Sequence, residues 1–197
     1  MEIIKTVCVH TDPCKPVGNG YFSESTGSKY KAEPMKFEFS PIGIIHSPYA
    51  EPVGVPIQGV YGGDAIATVE VSPELREGLS DLEGFSHIIL LYCLHRSQGY
   101  SLTCKPFLDV QKRGVFATRA PRRPNAIGLS IVRLLGIDGC VLRIADVDIV
   151  DGTPLLDIKP YIPEFDARSN VRVGWYEKAR NKAQITADER FFHTKEK

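Results

Sequence analysis

From Phe37 onward the apolar residues fall into short runs separated by turn residues, which is the rhythm of strands. FEFSPIGIIHSPY opens this region. AIATVEV, Ala65 to Val71, is β-branched and follows a Gly62-Gly63-Asp64 turn. In SPELREGL, Ser72 suits a helix cap and Pro73 the first helical position, so a short helix follows. FSHIILLYCLH is a continuous apolar run of strand length and is expected to be a central strand. GVFATRA reads as another strand. AIGLSIVRLLGI and CVLRIADVDIV flank Asp138-Gly139, a strong hairpin signal, and Asp151-Gly152 turns the chain into PLLDIKPYI. Strands joined by tight turns pair antiparallel. The predicted fold is mainly β, an antiparallel barrel or sandwich with a few short helices.

Residues 1–34 differ from the rest: Gly, Ser, Lys and Pro dominate and no period is visible. They read as an N-terminal extension, with the functional domain beginning near Met35 and running to residue 166. Residues 167–197 form a polar tail, WYEKARNKAQITADERFF being helical in part. The 197 residues carry zero formal net charge, which argues against a generic nucleic-acid coat but not against a local basic patch. No apolar run is long enough to span a bilayer, and the first residues lack the pattern of a secretion signal. Five cysteines without tight pairing read as reduced thiols of a cytosolic protein. Cys8, His10 and Cys14 lack two further ligands at zinc-finger spacing, so no metal is expected. Dinucleotide, Walker, nucleophile-elbow, HExxH and CxxC patterns are absent, which removes redox, ATP-hydrolysing and zinc-hydrolase chemistry.

Fixed charge concentrates in RAPRRPNAIGLS, Arg119 to Ser130. Pro121 and Pro124 stiffen the loop, and Arg119, Arg122 and Arg123 present planar forks suited to carboxylate or phosphate. Asn125 can read a base edge or hold the loop by backbone bonds. A solvated turn with structural ion pairs is the competing reading of equal weight. In LLDIKPYIPEFD, period two places Leu156 and Ile158 on one face and Asp157, Lys159 and Tyr161 on the other. An acid, an amine and a phenol on one face can hold a ligand and manage a proton; an ordinary wet strand face looks the same. His95 ends a buried run beside Arg96, where a barrel would open.

GVFATRAPRRPNAIGLS with DIVDGTPLLDIKPYIPEFD resembles the TsaA-like, or YaeB-like, domain family. PIGIIHSPY, VPIQG, LEGFSHIILLYCLHRS and LDVQKRGVFATR fit the same pattern in the same order, so the likeness covers roughly Phe37 to Asp166. The resemblance implies a β-barrel, a homodimer, and methylation of N6 of threonylcarbamoyladenosine in tRNA, beside the anticodon, with S-adenosylmethionine. Carried over, the cofactor contacts fall on Pro56, Ile57, Gln58, His95, Arg96, Arg119, Leu129, Asp151, Gly152, Thr153 and Pro154. Asp157, Tyr161 and His95 are then the candidates for taking the acceptor's proton. Arg122, Arg123, Asn125 and Lys159 are the candidates for the acceptor's anions. Two features depart from the family: Ala126 stands where RPNPIGLS has its second proline, and about thirty residues follow Asp166 where well-studied members carry a further domain. A non-catalytic cofactor- or RNA-binding barrel, and a methyltransferase with a small-molecule acceptor, are the alternatives.

Overall fold

The computed structural model describes residues 37–179 and 186–191. The chain divides into two units, Met1–Phe39 and Ser40–Lys197, and every element named below belongs to the second. The expected extension over 1–34, its Cys8, His10 and Cys14, and the boundary at Met35 lie outside the described residues.

The elements in chain order are β1 (Gly43–His46), β2 (Ile66–Val71), β3 (His87–Cys93), β4 (Thr103–Cys104), β5 (Arg113–Gly114), β6 (Ile127–Asp138), β7 (Val141–Ala145), β8 (Thr153–Pro160) and α1 (Pro163–Asp166). Six strands close into an antiparallel barrel in the order β1-β2-β7-β6-β3-β8, with β4 and β5 a separate ribbon. Closure leaves no unpaired edge in the barrel wall. The β6–β7 hairpin turns at Gly139, whose φ of 60° suits the left-handed turn position that the Asp-Gly signal announced.

Alternation along the strands fills the interior. Ile45 of β1, Val69 and Val71 of β2, Ile88 and Leu90 of β3, Val132 of β6, Leu142 and Ile144 of β7 and Leu155 of β8 are buried together. Val147 and Ile149, beyond the end of β7, join the same core. The run FSHIILLYCLH therefore supplies a strand paired on both sides, β3 lying between β6 and β8.

Three local expectations change. GVFATRA does not run on as a strand: the β4–β5 ribbon ends where Val115 N–H donates to the Leu102 carbonyl opposite it, and the chain then makes a 3-10 turn, Val115–Ala117, with Val115 buried. Pro73–Leu79 is a 3-10 helix, and Ser72 makes no side-chain cap to it. In β8 the face changes part-way, because a bulge opposite Leu91 and Tyr92 inserts one residue. Leu155 and Ile158 consequently pack toward the core, where strict period two paired Leu156 with Ile158.

One close approach is fixed by sequence. Gly128 of β6 stands opposite Tyr92 of β3, and a Cβ on Gly128 would overlap the Tyr92 ring. The ring is buried and cannot swing into solvent. Gly128→Ala should therefore destabilise the fold by about 1–3 kcal/mol through overpacking, read as a lower urea midpoint at unchanged slope.

Candidate functional site

A pocket of about 470 Å³ opens where β3 ends and β6 begins. The size and mixed lining suit a small organic ligand. Its walls come from distant segments: Val55 to Gln58, Leu94 to Ser97, Thr118 to Asn125, Ile127 to Leu129, and Asp148 to Thr153.

The arginine loop forms one wall and is held by its own backbone. The Arg123 Nη1 donates to the Thr118 carbonyl at 3.2 Å and, more weakly, to the Ala120 carbonyl at 3.5 Å. Ser97 Oγ donates to the Pro121 carbonyl at 3.0 Å. Arg119 reaches across to the facing segment, its Nη1 donating to Gln58 Oε1 at 2.5 Å. The segment carrying Pro56, Ile57 and Gln58 is braced by the tail, whose Ala187 also lines the pocket: Gly54 N–H donates to the Ala187 carbonyl, Ala187 N–H to the Val55 carbonyl, and Pro56 bridges Thr186. The tail is thus part of the pocket's support, which its polar composition did not announce.

The pocket floor is a chain of polar groups in which Tyr92 and Ser130 are buried and Asp148 half-buried. Tyr92 Oη and Ser130 Oγ are 2.9 Å apart, and Ser130 Oγ donates to Asp148 Oδ1 at 2.5 Å. Ser130 has one proton and spends it on Asp148, so the Tyr92 hydroxyl donates to Ser130. Burial pushes the Asp148 carboxyl above the usual carboxylate range, against the bonds from Ser130 and the Gly59 N–H and the charge of Arg119, which pull it down. Burial, with Asp148 adding to it, pushes the Tyr92 phenol well above its ordinary value. Tyr92, Ser130 and Asp148 were missed in the sequence. Asp148 sits in ADVDIV, where alternation would send Asp146 and Asp148 to the wet face. The strand ends at Ala145 instead, and Asp146 takes a φ of 63° that re-aims the chain.

His95 sits on the rim. Its Nδ1 is 3.3 Å from Thr153 Oγ1, and that hydroxyl gives its proton to the Val150 carbonyl at 2.6 Å. The Nδ1 therefore carries the ring's proton, and Nε2 is the basic nitrogen. Burial first, and Arg96 second, hold the ring below the ordinary imidazole range.

Of the residues singled out in the sequence, Pro56, Ile57, Gln58, His95, Arg96, Arg119, Leu129 and Thr153 line this pocket, and so do Arg123 and Asn125. Asp151 turns toward β1, where its Oδ1 accepts from the Ser47 N–H at 3.0 Å and His46 Nδ1 at 3.3 Å. The Ser47 bond leads in holding its carboxyl below the usual range. Asp151, Gly152 and Pro154 flank Thr153 rather than line the pocket. Arg122 is outside the lining, and its Nε is buried without a hydrogen-bond partner. Asp157 and Lys159 form an exposed ion pair at 2.7 Å on the outside of β8. Tyr161 lies near the far end of β3, its N–H donating to the His87 carbonyl. Asp157, Lys159 and Tyr161 are not brought together with His95. Among the described residues no cluster of three or more His, Cys, Asp or Glu is placed to hold a metal ion.

The family model for the tRNA-methyltransferase O N-terminal domain matches residues 44–167. A probable S-adenosyl-L-methionine-binding protein of Pyrococcus abyssi is 58% identical over 160 residues, 81% of this chain and 87% of that one. A human tRNA (adenine(37)-N6)-methyltransferase is 36% identical over 138 residues, 66% of this chain but 31% of that one. The crystal structure of TrmO from Pseudomonas aeruginosa is similar with a TM-score of 0.61 at 40% identity, covering 72% of this chain and 63% of that one. The chain belongs to the tRNA-methyltransferase O N-terminal domain family, and it spans about a third of the human relative's length.

The half-buried Asp148 generates a signed expectation. Its folded-state pKa is raised, so the native state binds a proton more tightly than the unfolded chain does. Native stability then falls as pH rises from the ordinary aspartate range through the raised value. Asp148→Asn has no such proton, so its stability relative to the parent should climb between about pH 4 and pH 7. Urea unfolding of both proteins at the two pH values measures this; a constant difference would show that the carboxyl titrates normally.

Proposed function

We propose that this member of the family transfers a methyl group from S-adenosylmethionine to N6 of threonylcarbamoyladenosine beside the anticodon of tRNA. The observation that carries the reading is the convergence on one pocket. Segments 55–58, 94–97, 118–125 and 148–153, far apart in the chain, enclose it together. Relatives at 36–58% identity are named for binding this cofactor or for methyl transfer to a tRNA adenine.

The lining fits the cofactor's chemistry. Val55, Pro56, Ile57, Leu129 and Ile149 offer apolar surface, Arg96 and Arg119 offer forks for a carboxylate, and Asp148 offers negative charge at the floor for a cationic group. When bound, the cofactor supplies an electrophilic methyl group on a sulfonium. Transfer to nitrogen is a displacement in which positioning supplies most of the rate. The chain's part is to exclude water with the loop wall, align the acceptor nitrogen, and accept its proton. Within one copy that proton falls to His95, whose Nε2 is basic and whose ring stays neutral at about pH 7. Arg123 and Asn125, on the same wall, are the groups we assign to the acceptor.

A homodimer belongs to this reading. The outer face of β6 carries Ile127, Leu129 and Ile131, each 42–45% exposed, opposite Cys93, Leu91 and Ile89 of β3. An apolar row beside the pocket, with Leu129 in both, is what a second copy would cover. Asp157 and Lys159 border the same rows. We place the protein in the cytoplasm, where its substrate is; no helix among the described residues is long and apolar enough to cross a membrane.

The deciding experiment is incubation of the full chain with unmethylated tRNA and S-adenosylmethionine, followed by nucleoside mass analysis. Gain of one methyl on the threonylcarbamoyl nucleoside is expected, and cofactor binding without any transfer would reduce the protein to a binding module. His95→Gln should lower kcat by about a hundredfold, the scale of a lost general base. The parent rate should hold from about pH 8 to pH 6.5 and fall below that as the imidazole protonates. An acidic limb that survives in His95→Gln would assign the proton to another group. Ile131→Glu, on the apolar row, should sediment as a monomer where the parent sediments as a dimer.

A further inference from the structure

Behind the arginine loop lies a second cavity of about 640 Å³. It shares Ile57, Gln58, Phe107, Thr118, Arg119 and Pro121 with the first pocket. Its remaining walls hold five aromatic rings among aliphatic side chains: Tyr61, Phe116, Trp175, Tyr176 and Phe191. The last three come from the tail, beyond residue 167 where the family match ends.

Four of these five rings are held in place. Trp175 Nε1 donates to the Ala117 carbonyl at 2.7 Å, and the Tyr61 and Tyr176 hydroxyls are 3.2 Å apart. Trp175 and Tyr176 meet edge to face at 6.1 Å between centroids, as Phe107 and Phe191 do at 5.0 Å. Arg190 lies over the Phe107 ring at 4.9 Å. Yet the cavity is not a core. Phe116 is 76% exposed and Val60 81% exposed at its rim, so the cavity's apolar lining continues to the surface. Lys105 and Lys112 are exposed in the segment 105–112 that precedes it, and Arg119 stands in the wall common to both cavities.

We propose that this aromatic cavity seats the unpaired nucleobases that flank the acceptor adenosine, stacking them on Phe116 and Trp175. This rests on the tRNA reading above. Continuity selects the occupant: a nucleotide held for methyl transfer in the first pocket has its neighbours within one shared wall, and those neighbours are flat, unpaired and anionic. Fixed aromatic plates beside cationic side chains are how single-stranded nucleic acid is gripped without reading its sequence. The tail thereby supplies a substrate grip within this chain.

Trp175 is the sole tryptophan, so its emission reports on the cavity directly. The full chain is titrated with a tRNA anticodon stem-loop, and with a fully paired RNA of equal length, at two salt concentrations. The stem-loop should quench Trp175 emission to saturation, and the duplex should quench it little at the same charge. Phe116→Ala, at an exposed position that leaves the core intact, should weaken stem-loop affinity about tenfold, or 1.4 kcal/mol. Its S-adenosylmethionine affinity should stay within twofold. Trp175→Phe should retain most of the affinity that Trp175→Ala loses, because it keeps a plate. A stem-loop that is bound and methylated while Trp175 emission is unchanged overturns the cavity's role and leaves the tRNA reading standing. A parent protein that neither binds nor methylates RNA overturns both. Phe116→Ala that turns a dimer into a monomer assigns the cavity to a second copy and overturns the proposal.

Discussion

Asp148 is a carboxylate partly withdrawn from water at the end of a barrel, and the pocket's floor is arranged around that cost. Removing such a group from solvent is expensive unless donors replace the lost water. Here Ser130 and the Gly59 N–H donate to it, and Tyr92 donates to Ser130 in turn. Each donor belongs to a different part of the chain: Tyr92 to β3, Ser130 to β6, and Gly59 to the turn after VPIQ. The carboxylate therefore ties the two central strands to the segment that carries Pro56, Ile57 and Gln58. The glycine opposite Tyr92 follows from the same requirement, since the ring can reach Ser130 only by lying over a residue without a side chain.

The strand content, the Asp138-Gly139 hairpin and the antiparallel barrel were legible because they rest on local signals: alternation, β-branching and left-handed turn residues. What sequence periodicity could not reach was set by tertiary pairing. Val115 looked like a strand residue and became the buried anchor of a 3-10 turn, because the short ribbon it belongs to ends at its bond to Leu102. Leu156 looked inward, but the bulge opposite Leu91 and Tyr92 re-phased β8. Most of the residues on the pocket wall were reached through the family resemblance of two long motifs, not through periodicity. Asp148 was not, because its inward direction depends on one left-handed residue, Asp146, just beyond a strand end.

The arginine loop shows how one kind of side chain divides its work. All three guanidiniums carry the same charge, and composition alone assigns them the same task. In the fold Arg119 crosses the pocket to Gln58, Arg123 closes the loop on its own carbonyls, and the Arg122 Nε is shut away from solvent. Rigidity therefore has two sources here: prolines that restrict the unfolded chain, and an arginine that satisfies carbonyls the prolines leave exposed. A loop stabilised in this way presents its remaining groups with little entropy left to lose on binding.

A wall shared by two cavities couples what each one holds. Arg119 lines both, as do Thr118 and Pro121. A ligand that draws Arg119 away from Gln58 on one side alters the surface offered on the other, since the same fork cannot serve both geometries at once. The tail enters this coupling from both directions. Thr186 and Ala187 brace the segment that carries Gln58, while Trp175 is anchored to Ala117, one residue before Thr118. Segment 55–58 and the arginine loop are thus both held by residues that lie after the barrel is complete. A change in how the tail docks therefore reaches both walls of the pocket, and under the proposed function it would couple whatever each wall holds.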